Sequence, residues 1–124
     1  VYKRQAYEIE DGLNVNGELT LGENIADLGG VKMALAALMA ELDGDRPTVA
    51  GFTPEQRFFM SYARVWRLNY PDEYLRLLVN SVPHSPSYLR AVAPLSNLSS
   101  FAEAFDIPDD ADAMRRPDER VDIW

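Results

Sequence analysis

From about Leu21 to Leu42 apolar residues recur at spacings of three and four, and this stretch constrains the fold more than any other. Ile25, Leu28, Val31, Leu35, Met39 and Leu42 share one face of an α-helix. Asp43-Gly44-Asp45 ends it, with Gly44 placed to take a left-handed cap. The opposite face is unusual. At about 100° per residue, Glu23, Asp27, Gly30, Ala34, Ala37 and Glu41 fall in one line. Two carboxylates one turn apart lead into a strip of very small side chains, where a solvated face would carry Lys, Glu and Arg. A helix apolar or small on nearly every side is a buried one. Something outside this helix is therefore expected to pack on the Gly30/Ala34/Ala37 strip, beside Glu23 and Asp27.

Residues 1–20 read as an irregular lead-in and residues 21–124 as the main body. In the lead-in, Asp11-Gly12 and Asn16-Gly17 are turn signals between short extended stretches near Tyr7–Ile9 and Leu13–Val15. Thr53-Pro54-Glu55-Gln56 is a helix start, with Thr as cap, Pro at the first helical position and Gln three residues on. Phe58, Phe59, Tyr62, Val65 and Trp66 then form an apolar stripe, with the helix running to about Leu68. A third helix is expected over Asp72 to Asn80. A rigid turn follows at Val82-Pro83-His84-Ser85-Pro86, with a short helical turn through Arg90. Asn97 is placed to cap a last helix through Phe105. The acidic segment from Asp106 to Asp122 reads as a surface loop ending in Ile123-Trp124. The fold class expected is mostly α, with about four to five helices and long loops.

Composition excludes several functions. Twenty acidic against twelve basic residues give a formal charge of −8. Nucleic-acid binding and adhesion to an anionic membrane need clustered Lys and Arg, so neither is expected. No apolar run approaches the roughly 20 residues of a membrane span. The absence of cysteine removes disulfides, thiol catalysis and thiolate metal sites. The single histidine, His84, leaves too few ligands for a catalytic zinc held by this chain alone. The chain begins with Val1, which reads as a piece of a longer polypeptide.

Two groups of residues carry candidate chemistry. Glu23 offers a carboxylate suited to a zinc ion. Asp27, one turn later, is placed to orient a ligating histidine by accepting its other ring N–H. The plainer reading makes both ordinary acids near a helix N-terminus, favoured there by the macrodipole. His84, bracketed by Pro83 and Pro86, has a fixed backbone, and with Arg90 six residues on it can meet negative charge. The plainer reading makes it an exposed or structural loop histidine. The aromatic stripe is most simply core.

These segments together resemble one family. Residues Asn16 to Gly30, NGELTLGENIADLGG, resemble the signature that follows the catalytic helix of the neprilysin family of zinc metallopeptidases, peptidase family M13. Ala63-Arg64-Val65-Trp66, then Val82 to Pro86 with Arg90, then Asn97 with Phe101 to Phe105, follow in the family's order, and Trp124 matches its carboxy-terminal Trp. The resemblance runs from about Val15 to the end. It implies the carboxy-terminal helical portion of a zincin-type catalytic domain. Glu23 resembles the third protein ligand of one catalytic zinc ion. Asp27 resembles the acid that orients a zinc-bound histidine. His84 resembles the histidine that stabilises the oxyanion, and Arg90 the arginine that holds a substrate carbonyl. Val65 and Trp66 match residues near the apolar pocket for the side chain after the scissile bond.

The departures matter as much. The family's first two zinc ligands and general base lie in an upstream H-E-x-x-H helix, a motif this chain lacks. The missing Cys near Trp124 points to a bacterial-type member, cytoplasmic or exported without disulfides. The implied activity is hydrolysis of peptides by the whole protein: a glutamate of the missing helix takes a proton from water and His84 meets the developing oxyanion. The missing upstream part of the polypeptide becomes the expected partner of the Gly30/Ala34/Ala37 strip. The chain alone is expected to be inactive, to hold no zinc tightly and to self-associate. The rival reading is a non-catalytic helical interaction module that keeps the motifs.

Overall fold

The structure, a computed structural model, describes residues 8–10 and 12–123. The start of the first expected strand at Tyr7, the turn residue Asp11 and the terminal Trp124 lie outside the described residues. Two short strands, β1 (Glu8–Glu10) and β2 (Leu13–Asn14), pair antiparallel. Five helices follow: α1 (Leu21–Leu42), α2 (Pro54–Val65), α3 (Asp72–Ser81), α4 (Ser87–Val92) and α5 (Ser99–Ala104). The described residues are thus mostly helical, as the spacing predicts.

Helix α1 has the expected bounds. Leu28, Val31 and Leu35 are buried, with Met39 packed at the edge of the same cluster. The far face is bare: Ala26, Gly30, Ala34, Ala37 and Ala40 are exposed, and Met33 is 63% exposed. A Cβ placed on Gly30 would meet nothing within 4 Å. The helix closes on Asp43, which adopts the left-handed conformation at φ 44°, and Gly44 follows at φ 86°. The cap thus falls one residue earlier than the glycine suggests. Aspartate tolerates this region better than most side chains.

Helix α2 carries the core. Thr53 Oγ1 accepts from the Gln56 backbone N–H at 3.2 Å, and Gln56 Oε1 accepts from the Thr53 N–H at 3.0 Å. Gln56 Nε2 also donates to the Ala104 carbonyl at 2.8 Å, tying this reciprocal cap to α5. Phe59 is fully buried among Leu28, Val31, Leu35, Leu95 and Leu98. Its ring meets Phe58 and Phe101 edge-on at 5.3 and 5.2 Å. The helix stops at Val65, three residues short of the expected Leu68. Trp66 leaves the helical conformation at the C-cap, at φ −92° and ψ 10°. Val65 is also not core: it is 68% exposed.

One further expectation is corrected near the carboxy terminus. Asn97 does not cap the last helix, which runs Ser99–Ala104 with Leu98 at the cap position. Asn97 ends a 3₁₀ turn over Leu95–Asn97 and is buried. Its Nδ2 donates to the Ala93 carbonyl at 2.9 Å and its Oδ1 accepts from the Val121 N–H at 3.1 Å. One local partner and one distant one leave the side chain unavailable for capping. The acidic tail is the expected surface loop, and it is fastened to the body at several points. The Arg115 N–H donates to the Ser96 carbonyl at 2.9 Å. Arg120 donates to Asp109, Ser99 and the Arg115 carbonyl. Lys32 on α1 holds Asp122 and the Ile123 carbonyl.

The contrast between core and cap sets the first expected outcome. Phe59→Ala removes a ring packed on every side and should cost about 3–5 kcal/mol. Thr53→Ala removes one capping acceptor and should cost about 1 kcal/mol. Denaturant midpoints at unchanged slope check both. Equal losses would show that α2 is not the centre of the core.

Candidate active site

The sequence-predicted site residues lie on α1, at the end of α2, on α4 and in the turn before α4. Glu23 and Asp27 occupy the first two turns of α1. His84 sits in the turn between α3 and α4, and Arg90 lies on α4. Trp66 forms the C-cap of α2, its N–H bonded to the Ala63 and Arg64 carbonyls.

Asp27 and Arg90 form a two-pronged ion pair. Arg90 Nε donates to Asp27 Oδ2 at 2.8 Å and Nη2 to Oδ1 at 2.7 Å. The side chains are only 10% and 17% exposed. The planar guanidinium matches the carboxylate fork, the strongest geometry available to such a pair. Arg90 Cζ lies 4.0 Å from the centroid of the Trp66 ring, which shields one face of the cation. Tyr62, one turn before Trp66 on α2, donates its hydroxyl proton to the Arg90 carbonyl at 2.9 Å. The hydrogen bonds to Asp27 hold the Arg90 pKa above its ordinary value, against a smaller lowering by burial. Arg90 is therefore a cation at every pH of practical interest. A raised folded-state pKa contributes stability below the unfolded value, and that contribution is lost only as pH rises through the folded value.

Glu23 and His84 meet differently. Glu23 Oε2 lies 3.1 Å from His84 Nε2, and both side chains are 43% exposed. This contact is open to solvent, where an ion pair contributes little. It is readily exchanged for another partner. A buried row of polar groups runs directly beneath it. Ser85 Oγ donates to Asn24 Oδ1 at 2.9 Å, Asn24 Nδ2 donates to Thr20 Oγ1 at 2.9 Å, and Thr20 Oγ1 donates to the Asn16 carbonyl at 3.0 Å.

The structure thus joins Glu23 to His84 and Asp27 to Arg90 to Trp66, with one turn of α1 linking the two sets. Val65 is exposed at the α2 end beside them. Sequence reasoning missed three contributors. Asn24 is a polar residue on the buried side of α1, in line with Leu28 and Val31. Ser85 lies between Pro83 and Pro86 beside the only histidine, and Tyr62 was absorbed into the apolar stripe. The pairing of Asp27 with Arg90 was not legible either.

The residues present bear on a metal only in part. The Glu23 carboxylate is chemically a zinc ligand. Among the described residues, however, no group of three His, Cys, Asp or Glu side chains is gathered to hold an ion.

Comparison with known proteins now places the chain. The sequence model of peptidase family M13 matches residues 2–121, nearly the whole length. The chain belongs to peptidase family M13. Neprilysin-21 of Caenorhabditis elegans is 38% identical over 124 residues, covering 94% of this chain. Neutral endopeptidase of Lactococcus lactis is 37% identical over 109 residues, covering 88%. The M13 chain spans about 16% of the length of each of these curated relatives. The Mycobacterium tuberculosis zinc metalloprotease Zmp1, solved in complex with an inhibitor, superposes at a TM-score of 0.93 with 34% identity. That match covers 98% of this chain and 20% of Zmp1. No helix among the described residues is long and apolar enough to cross a membrane.

The ion pair at the heart of the site has a measurable signature. Asp27→Ala and Arg90→Ala should each destabilise by about 1.5–3 kcal/mol, the range for hydrogen bonds to charged groups. Because each loss includes the same contact, the double variant should fall short of their sum by on the order of 1 kcal/mol or more. Strict additivity in a denaturation cycle would show that the two side chains are not paired in solution.

Proposed function

We propose that this chain supplies part of the active site of a zinc metalloendopeptidase, with Glu23 as one zinc ligand and His84 as the donor to the oxyanion. The observation that carries the reading is the meeting of Glu23 with His84, 61 positions apart in sequence, at a solvent-open point 3.1 Å wide. It is supported by membership of M13 and by the likeness to a zinc metalloprotease. The remaining zinc ligands and the general base would come from the part of the polypeptide upstream of this chain. That part would also cover the bare Gly30/Ala34/Ala37 face of α1.

When bound, zinc supplies Lewis-acid polarisation of the scissile carbonyl and lowers the pKa of its water. The chain's own residues do the rest of their share by position. Glu23 would hold the ion through its carboxylate. His84, on a backbone fixed by Pro83 and Pro86, presents its ring N–H where negative charge develops on the carbonyl oxygen. Asp27 fixes Arg90 by two hydrogen bonds, which leaves the Nη1 protons of the guanidinium to grip a backbone carbonyl of the peptide. Its carboxylate retains lone pairs with which to orient a ligating histidine from the upstream part. Trp66 forms one wall for the side chain after the scissile bond, and the exposed Val65 completes its rim.

Variants of the full-length protein separate these roles. Glu23→Gln should abolish bound zinc. Asp27→Asn should weaken zinc by about 10–100-fold, as changes behind a ligand do. His84→Ala should keep zinc, lower kcat by roughly 10²–10³ and leave KM nearly unchanged. Arg90→Ala should raise KM as well as lower kcat. Zinc content and steady-state kinetics with one peptide are the measurements. Retention of zinc and full activity by Glu23→Gln would overturn the ligand assignment.

A further inference from the structure

The buried row beneath Glu23 and His84 has no part in the roles assigned so far. Thr20, Asn24 and Ser85 are 2%, 1% and 3% exposed. Polar groups at that depth are costly unless each finds a partner, and here each does. The row's ends lie at telling places. Asn24 directly follows Glu23 on α1, and Ser85 directly follows His84 in the turn. Two bonds therefore cross from helix to turn in parallel: an exposed one, 23 to 84, and a buried one, 24 to 85. Only the buried one is protected from water and competing ligands. The exposed one must open if Glu23 is to accept a metal. Between α1 and the His84 turn, the Ser85–Asn24 bond is a buried contact that still locates the imidazole.

We infer that Ser85 and Asn24 are positioning residues, whose buried hydrogen bond sets where the His84 ring stands relative to Glu23. The inference rests on the oxyanion reading of His84. Asn24 suits the task because its amide accepts from Ser85 on one side and donates to Thr20 on the other. Thr20 in turn is held by the Asn16 carbonyl, so the row is anchored in the turn that precedes α1. Loss of the Ser85 hydroxyl frees the turn to shift by a fraction of an ångström, which matters most in the transition state, where the oxyanion is met.

The test is a cycle in the full-length, zinc-loaded protein with one peptide substrate. Ser85→Ala should lower kcat about tenfold, the lower end of what supporting hydrogen bonds at metal sites contribute. Its KM should stay within about twofold and its zinc content should be unchanged. Ser85→Thr, which keeps the hydroxyl, should retain kcat. In a His84→Ala background, Ser85→Ala should lower kcat no further, because the group it positions is gone. Ser85→Cys, near in size with a weak donor, carries the same comparison if the alanine variant is not recovered folded. An equal fall in kcat with and without His84, or a change in KM alone, would overturn the inference. So would full activity of Ser85→Ala beside a slow His84→Ala, and this would leave the oxyanion reading standing. Full activity of His84→Ala would remove both.

Discussion

The two-pronged bond between Asp27 and Arg90 is the interaction on which the arrangement of the site depends. It joins the second turn of α1 to α4 across 63 residues of chain. Trp66 at the end of α2 lies against the same guanidinium, and Tyr62 holds the Arg90 carbonyl. Three helices therefore converge on one cation. A carboxylate and a guanidinium are costly to bury apart and tolerable together only with good geometry. That asymmetry makes the pair a register pin, because few displacements of α4 along α1 would keep both hydrogen bonds.

The neighbouring contact has the opposite character. Glu23 and His84 are four times as exposed as Asp27, at 43% against 10%. Water competes freely for both groups, so their mutual attraction is weak and exchangeable. A rigid, desolvated pair thus stands next to a soft, solvated one, the division of labour the proposed site would need. The polar row from Asn16 through Thr20 and Asn24 to Ser85 lies beside the soft pair and ties the His84 turn to α1 from the buried side while the imidazole stays open to solvent.

Much of the fold is legible in the sequence because local signals and burial agree. The three-four spacing from Ile25 to Leu42 marks α1, and Thr53-Pro54-Glu55-Gln56 marks the start of α2. The bare small-residue face of α1 is visible as a line of Gly and Ala before any coordinate is known. Where local rules fail, a tertiary partner is responsible. Asn97 looks like a cap, yet the distant Val121 N–H takes its amide oxygen, while the amide nitrogen turns back to the Ala93 carbonyl. The tail is the surface loop its composition suggests, and Arg120 and Lys32 bind it down in a way no local rule shows. Val65 fits an apolar stripe by spacing, but α2 ends there and leaves it facing solvent. The candidate site is legible only as a set of residue types. Which acid meets which base is a matter of long-range packing, and no spacing rule pairs Asp27 with Arg90.

The central claim is that the solvent-open Glu23 carboxylate belongs to a zinc ion that the rest of the polypeptide helps to hold. The most direct measurement is a crystal structure of the zinc-loaded, full-length protein with anomalous scattering recorded at the zinc edge. The account predicts one zinc with a Glu23 oxygen at about 2.0–2.2 Å, and Asp27 still paired with Arg90. Zinc bound elsewhere, with Glu23 still resting on His84, would contradict it.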